Sequence, residues 1–195
     1  MKYDKIIQKT IEEETVTYGI VFGNENVVFI KTGAGGNIRG HKEKYLKMAH
    51  RIHCNTGATV ICASNPDTDH EELDQHILSM IAEEKKFSEY KVHLIGTSDG
   101  AYKVIQLAKA LPQAVELLAI NTSSVSFDDM GRKLLQIPRI KKILVYGTED
   151  DEYHYVSRLK ELNCDNLRIE IVEGADHQFH RMLEEYISLV DLLML

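Results

Sequence analysis

Cysteine and proline are scarce in this chain of 195 residues, which holds three of each. The cysteines, Cys54, Cys62 and Cys164, are odd in number and lack C-x-x-C spacing. That argues against a disulfide framework and a zinc site and points to a reducing compartment, most simply the cytoplasm. The nine histidines include no H-E-x-x-H or similar ligand pair, so neither a metal nor another cofactor is expected. No apolar run approaches the roughly 20 residues of a membrane span. The apolar tail "LVDLLML" reads as the buried face of a last helix, and the start "MKYDKIIQKTIEEE" is too charged for a signal peptide. A surplus of positive charge is also missing. The formal net charge is -7, and Lys and Arg occur only in small groups such as Lys141-Lys142, which excludes a phosphate-backbone binder and so a nucleic-acid partner. No repeat, low-complexity tract or Pro/Gly/Ser-rich linker divides the chain, so residues 1–195 read as a single domain. Oligomeric state leaves no mark.

What is present is ordinary for a water-exposed globular chain: 44% hydrophobic and 27% charged residues. The segment "KTIEEETVTYGIVFGNENVVFIKTG" reads as strands, with "GNEN" as turn chemistry. Tyr45, Met48, Ala49 and Ile52 then fall on one face of a helix. "ATVICAS" is a strand. "NPDTDHEE" is a loop whose acids Asp67, Asp69, Glu71 and Glu72 suit the cap and first turn of a helix carrying Leu73, Ile77 and Ile81. Strands at Val92–Ile95, "AVELLAIN", "KKILVYG" and "LRIEIVEG" alternate with helices at Ala101–Leu111, around Met130–Leu135, from about Glu152 to Leu162, and at a final helix burying Leu183, Tyr186, Ile187 and Val190. The strands after Val27 are continuous apolar runs, the pattern of strands covered on both faces. The expected fold is a three-layer α/β architecture. It has a mostly parallel, twisted sheet of about eight strands, antiparallel strands at the N-terminus and helices on both faces.

In such sheets ligands bind beyond the C-terminal strand ends. Those ends carry "KTGAGGN", "SNPDTDH", "GTSDG", "TEDDEYH" and "ADHQFH". One sheet edge therefore gathers a glycine loop, a serine between two glycines, a pair of acids and a histidine. Serine needs a base to become a nucleophile, histidine titrates near neutral pH, and an acid fixes the histidine tautomer. Side chains at positions 96 or 100 would crowd the neighbouring backbone in a sharp strand-to-helix reversal that presents Ser98 at its tip. The helix start after Ser98 also offers N–H groups to an anion. "GAGGNI" only resembles a dinucleotide fingerprint, since Ile38 stands where a third glycine is needed, and in "GGNIRGHK" His41 replaces the P-loop lysine.

"GTSDG", "YGTEDD" and "EGADHQF", in that order, give the chain a resemblance to the α/β-hydrolases. It is similar to the minimal kind without a lid, such as small esterases and dienelactone-hydrolase-like proteins, from about Val27 onward. The resemblance implies Ser98 as nucleophile in G-x-S-x-G, Asp150 as the triad acid with Asp151 as the alternative, and His177 as general base. "KTGAGGN" resembles the family's H-G-x-G-G loop, with Thr32 in place of histidine. It implies an oxyanion hole from the N–H groups of Ala34 and Asp99. Asp99 itself is a departure, because a carboxylate aimed into the site would oppose an oxyanion; an outward direction is expected. The loops around Asn37, Pro66 and Val125 would shape the pocket, with Asn37 and Arg39 as substrate-binding residues and Arg39 suited to a carboxylate-bearing substrate. The span from Ser98 to Asp150 leaves no room for an inserted lid. The implied function is a serine hydrolase of a small carboxylic ester or thioester acting through an acyl-enzyme. The alternative is a non-catalytic binding protein on the same fold.

Overall fold

Five apolar segments, β3 (Asn24–Lys31), β4 (Ala58–Ala63), β5 (Lys91–Thr97), β6 (Ala114–Ile120) and β7 (Lys141–Gly147), lie side by side in parallel in a computed structural model of the chain. The structure describes residues 1–11, 13–67, 70–123, 127–193 and 195; Asp69 and Val125, singled out above, lie outside these. An antiparallel hairpin, β1 (Lys5–Ile11) and β2 (Glu14–Val21), joins through β2 to β4, and β8 (Leu167–Val172) closes the far edge against β7. The eight-stranded order is β1-β2-β4-β3-β5-β6-β7-β8.

Alternate side chains of each inner strand enter different cores. Phe29 belongs to one, with Ile77 and Leu78 of α2 (Glu71–Lys85), Ala101 and Val104 of α3 (Asp99–Ala110), and Met130 and Leu134 of α4 (Phe127–Leu135). Val28 and Ile30 belong to the other, with Leu46 and Ile52 of α1 (Lys44–Thr56) and Tyr186 and Ile187 of α6 (Leu183–Ser188). Both faces are covered, which is why β3 to β7 are mostly apolar; the buried exceptions His93 of β5 and Glu116 of β6 meet each other at 3.1 Å.

Three details depart from the sequence reading, each for a local reason. β1 starts earlier than "KTIEEE" suggested, because an edge strand paired only to β2 keeps its ladder while most of its side chains stay in solvent. β8 is not a buried run. None of its residues is fully buried, and Arg168 and Ile171 are exposed, because it too has a neighbour on one side only. The helix expected from Glu152 begins as a 3-10 turn at Asp151–Tyr155, and α5 proper spans Val156–Glu161.

The chain leaves β3 for β4 on one side and returns to β5 on the other side of β3. This order reversal splays apart the loops that follow β3 and β5 and opens a crevice between them.

Candidate active site

Ser98 sits in that crevice. β5 ends at Thr97 and α3 begins at Asp99, so one residue makes the whole reversal, at φ 56° and ψ -124°. Holding a non-glycine residue there costs on the order of 1–3 kcal/mol. The backbone secures it: Ser98 N–H donates to Ile120 O at 2.9 Å, and Ala101 N–H donates to Ser98 O at 3.0 Å. The flanking glycines are required by close approach. A Cβ on Gly96 would lie 2.3 Å from Gly100 O, and one on Gly100 would lie 2.1 Å from Thr32 O. Gly100 thus lets α3 press against the end of β3 and sets the glycine loop beside Ser98. Gly100→Ala is expected to destabilise the fold by about 3 kcal/mol, read as a lower denaturant midpoint at unchanged slope.

The ends of β7 and β8 deliver the partners. Ser98 Oγ lies 2.9 Å from His177 Nε2, and His177 Nδ1 lies 2.6 Å from Asp150 Oδ2. With Nδ1 donating to the carboxylate, Nε2 is left as acceptor for the serine hydroxyl. The Asp150 side chain is 0% exposed, and its other oxygen, Oδ1, accepts Glu152 N–H at 2.6 Å. Asp151 is exposed, so the acid facing the imidazole is Asp150. The hydrogen bond to Asp150 holds the His177 pKa above the usual histidine value, against the opposing effect of burial; the charges of Asp150, Glu152 and Asp151 act in the same direction.

Two residues missed in the sequence brace this arrangement. Asn121, fully buried just after β6, donates through Nδ2 to the carbonyls of Asp176 (3.2 Å) and His177 (3.1 Å) and accepts Gly147 N–H at Oδ1 (2.9 Å). It therefore ties the histidine loop to the strand end that precedes Asp150. Asn65, after β4, accepts Gly35 N–H at its carbonyl (2.8 Å) and donates its own N–H to Gly36 O (3.0 Å), pinning the glycine loop. A buried amide at a strand end was the available signal in both cases.

The glycine loop is further shaped by Thr32, whose Oγ1 donates to Gly36 O at 3.0 Å, and by Tyr45, whose hydroxyl accepts Gly33 N–H at 3.4 Å. Ala34 N–H has no acceptor among the described residues. Asp99 N–H, the first of α3, has no intrahelical one. The Asp99 carboxylate turns to Asn65 Nδ2 (2.9 Å) and Lys103 Nζ (3.5 Å). Asn37 lines the cleft, and its Oδ1 accepts the N–H groups of Arg39 and Gly40, both at 2.9 Å, which folds the loop tip. Arg39 is placed differently from the expectation. Its guanidinium is 51% exposed and paired to Glu43 at 2.5 Å across the loop that leads into α1, and it does not line the cleft. The cleft, of about 310 Å³, is bordered by Ser98, the loop Gly33–Asn37, His41, Lys44 and Gln178.

No family model matches the sequence, and neither does any curated protein. Solved structures do match in shape. Est1E from Butyrivibrio proteoclasticus superposes with a TM-score of 0.75 at 12% identity, covering 97% of each chain. An alpha-beta serine hydrolase homologue from Coxiella burnetii gives 0.75 at 15% identity, covering 99% of each. A serine hydrolase without lid from Xanthomonas campestris gives 0.66 at 18% identity, covering 97% of this chain and 93% of that one. The chain has the α/β-hydrolase fold, and among the described residues no lid is inserted into it. No helix of the described residues is long and apolar enough to cross a membrane.

Proposed function

We propose that the protein is a serine hydrolase of small carboxylic esters or thioesters. The observation that carries the reading is the unbroken relay from Ser98 Oγ through His177 to Asp150, at 2.9 and 2.6 Å. Ser98 attacks the substrate carbonyl as His177 Nε2 takes the hydroxyl proton. Asp150 fixes the imidazole and stabilises the imidazolium. The oxyanion is received by the N–H groups of Ala34 and Asp99. His177 returns its proton to the leaving alcohol or thiol, then activates water to release the acyl group from Ser98. No cofactor enters any step. Three free thiols suit a reducing compartment such as the cytoplasm.

A non-catalytic reading drew on Asp99 and on Thr32. It loses support where the Asp99 carboxylate is held away by Asn65 and Lys103, and where Thr32 performs the loop-shaping role itself.

The test is turnover of activated aryl acetates and acyl thioesters as a function of pH. The base must be neutral, and the Asp150 hydrogen bond raises its pKa. The expected kcat/KM therefore rises with pH to a plateau, with an apparent pKa above the ordinary histidine value of about 6.5. A rate independent of pH between 5 and 9, or no turnover of either substrate class, would contradict the proposal.

A further inference from the structure

Three lysines are buried among the described residues, and two of them have hydrogen-bond acceptors. Lys31 Nζ donates to Asp74 Oδ2 at 2.8 Å. Lys142 Nζ donates to the carbonyls of Ile137 (3.1 Å) and Ile140 (2.9 Å). Lys44 is different. It is 5% exposed, yet no carbonyl, hydroxyl or carboxylate among the described residues accepts from its ammonium. Two aromatic faces stand against it, Nζ lying 4.4 Å from the Tyr186 ring centroid and 5.2 Å from that of Tyr45, and the Asp176 charge acts on it from beyond ion-pair distance.

An ammonium carries three donors, and a ring face accepts them poorly. Such a group would be costly in a dry interior, but Lys44 Nζ is not among the described polar atoms shut off from solvent, so its acceptor is water or a ligand in the cleft. Lys44 is not sealed in, because it borders the cleft shared by Ser98 and Gly33–Asn37. Burial pulls its pKa down to about 8, with the Asp176 charge acting in the opposite direction, so the cationic form still prevails at pH 7.

The other charges around the cleft are engaged. Arg39 is paired to Glu43. The Asp176 carboxylate accepts from Gln178 N–H (3.1 Å) and His180 N–H (3.0 Å) and lies 3.0 Å from His180 Nδ1. No carboxylate of the described residues lies within ion-pair distance of Lys44 Nζ.

We infer that Lys44 anchors a negatively charged group of the substrate: a carboxylate carried by the same ester whose carbonyl meets Ser98. The inference rests on the reading of Ser98 as nucleophile and narrows it to monoanionic substrates. One cation in a cleft of about 310 Å³ suits a single small carboxylate rather than a dianion. The carboxylate belongs either to the acyl chain or to the leaving group, and the experiment separates the two.

The experiment compares kcat/KM for two pairs of esters. In the first pair an aryl adipate monoester is set against its methyl-capped form. In the second, 3-acetoxybenzoate is set against its methyl ester. Wild type should prefer the free carboxylate in one pair by about tenfold or more, mainly through KM. Lys44→Met keeps the apolar stem and should cut that preference at least tenfold, while Lys44→Arg should retain part of it. The ratio of two rates on one sample does not depend on how much of a variant folds. Equal rates in both pairs for wild type, or a preference that survives in Lys44→Met, would overturn the inference while leaving the hydrolase reading intact. Absence of any Ser98-dependent turnover, charged or neutral, would instead overturn the nucleophile and this inference with it.

Discussion

Ser98→Ala is expected to abolish labelling by a fluorophosphonate probe and to lower kcat for an activated aryl ester by about 10⁴- to 10⁶-fold. The effect is this large because the adjacent hydroxyl cannot take over. Thr97, the adjacent residue, is buried, and its Oγ1 lies 2.6 Å from the Tyr186 hydroxyl on the far side of the strand. The substitution leaves the elbow unchanged, since alanine and serine both carry a Cβ and bear the same strain at φ 56°. A melting temperature close to wild type should accompany the lost activity. What remains is the rate supported by the oxyanion donors and by binding alone. Equal labelling of the two proteins, or labelling of neither, would remove Ser98 from the chemistry.

The second large effect belongs to Asp150→Asn, with an expected fall in kcat of about 10⁴-fold. The size of the loss follows from the neighbour that shares the carboxylate. Glu152 N–H donates to Oδ1 at 2.6 Å, so an asparagine must place its carbonyl oxygen there to avoid opposing two donors. Its NH₂ then faces His177 Nδ1, which must become an acceptor. The ring proton moves to Nε2 and points at Ser98 Oγ, where an acceptor is needed. Asparagine fits the space, but it selects the inactive tautomer. Removing the hydrogen bond that raises the His177 pKa should also move the residual pH profile toward acid, visible in the same rate measurements. A variant with more than a tenth of wild-type kcat would show that Asp150 does not control the imidazole.

The sheet was legible because its inner strands are buried twice over. Leu94 and Ile95 or Ile143 to Tyr146 are held apolar by helices on both faces, and where a polar residue does enter, as His93 does, it is buried against a partner, Glu116. The edges were harder, since β1 and β8 answer to one neighbour each and carry mixed residues. At the site, residues whose chemistry depends on spacing from a strand end could be read along the chain: Ser98, Asp150, His177 and the glycine loop. Residues that act by bridging separate loops could not. Asn121 joins positions 147, 176 and 177, and Asn65 joins 32, 35, 36 and 99, through contacts that exist only after folding. Arg39 and Lys44 form an instructive pair. Both are cations near the glycine loop, and the sequence favoured the one with the planar fork. A glutamate four residues on claims Arg39, whereas helix α1 carries Lys44 inward against two tyrosines.

The hydrogen bond between His177 and Asp150 sets activity and stability against each other. Because it raises the folded-state pKa above that of the unfolded chain, its contribution to stability is complete only below the unfolded value of about 6.5. It is lost as pH rises through the folded value, which is the same titration that frees Nε2 to take the serine proton. The protein is therefore most firmly held, as far as this pair is concerned, when its base is switched off. On the proposed mechanism, each increment of activity gained by alkalinity is accompanied by an increment of cohesion lost from the strand ends that carry the pair.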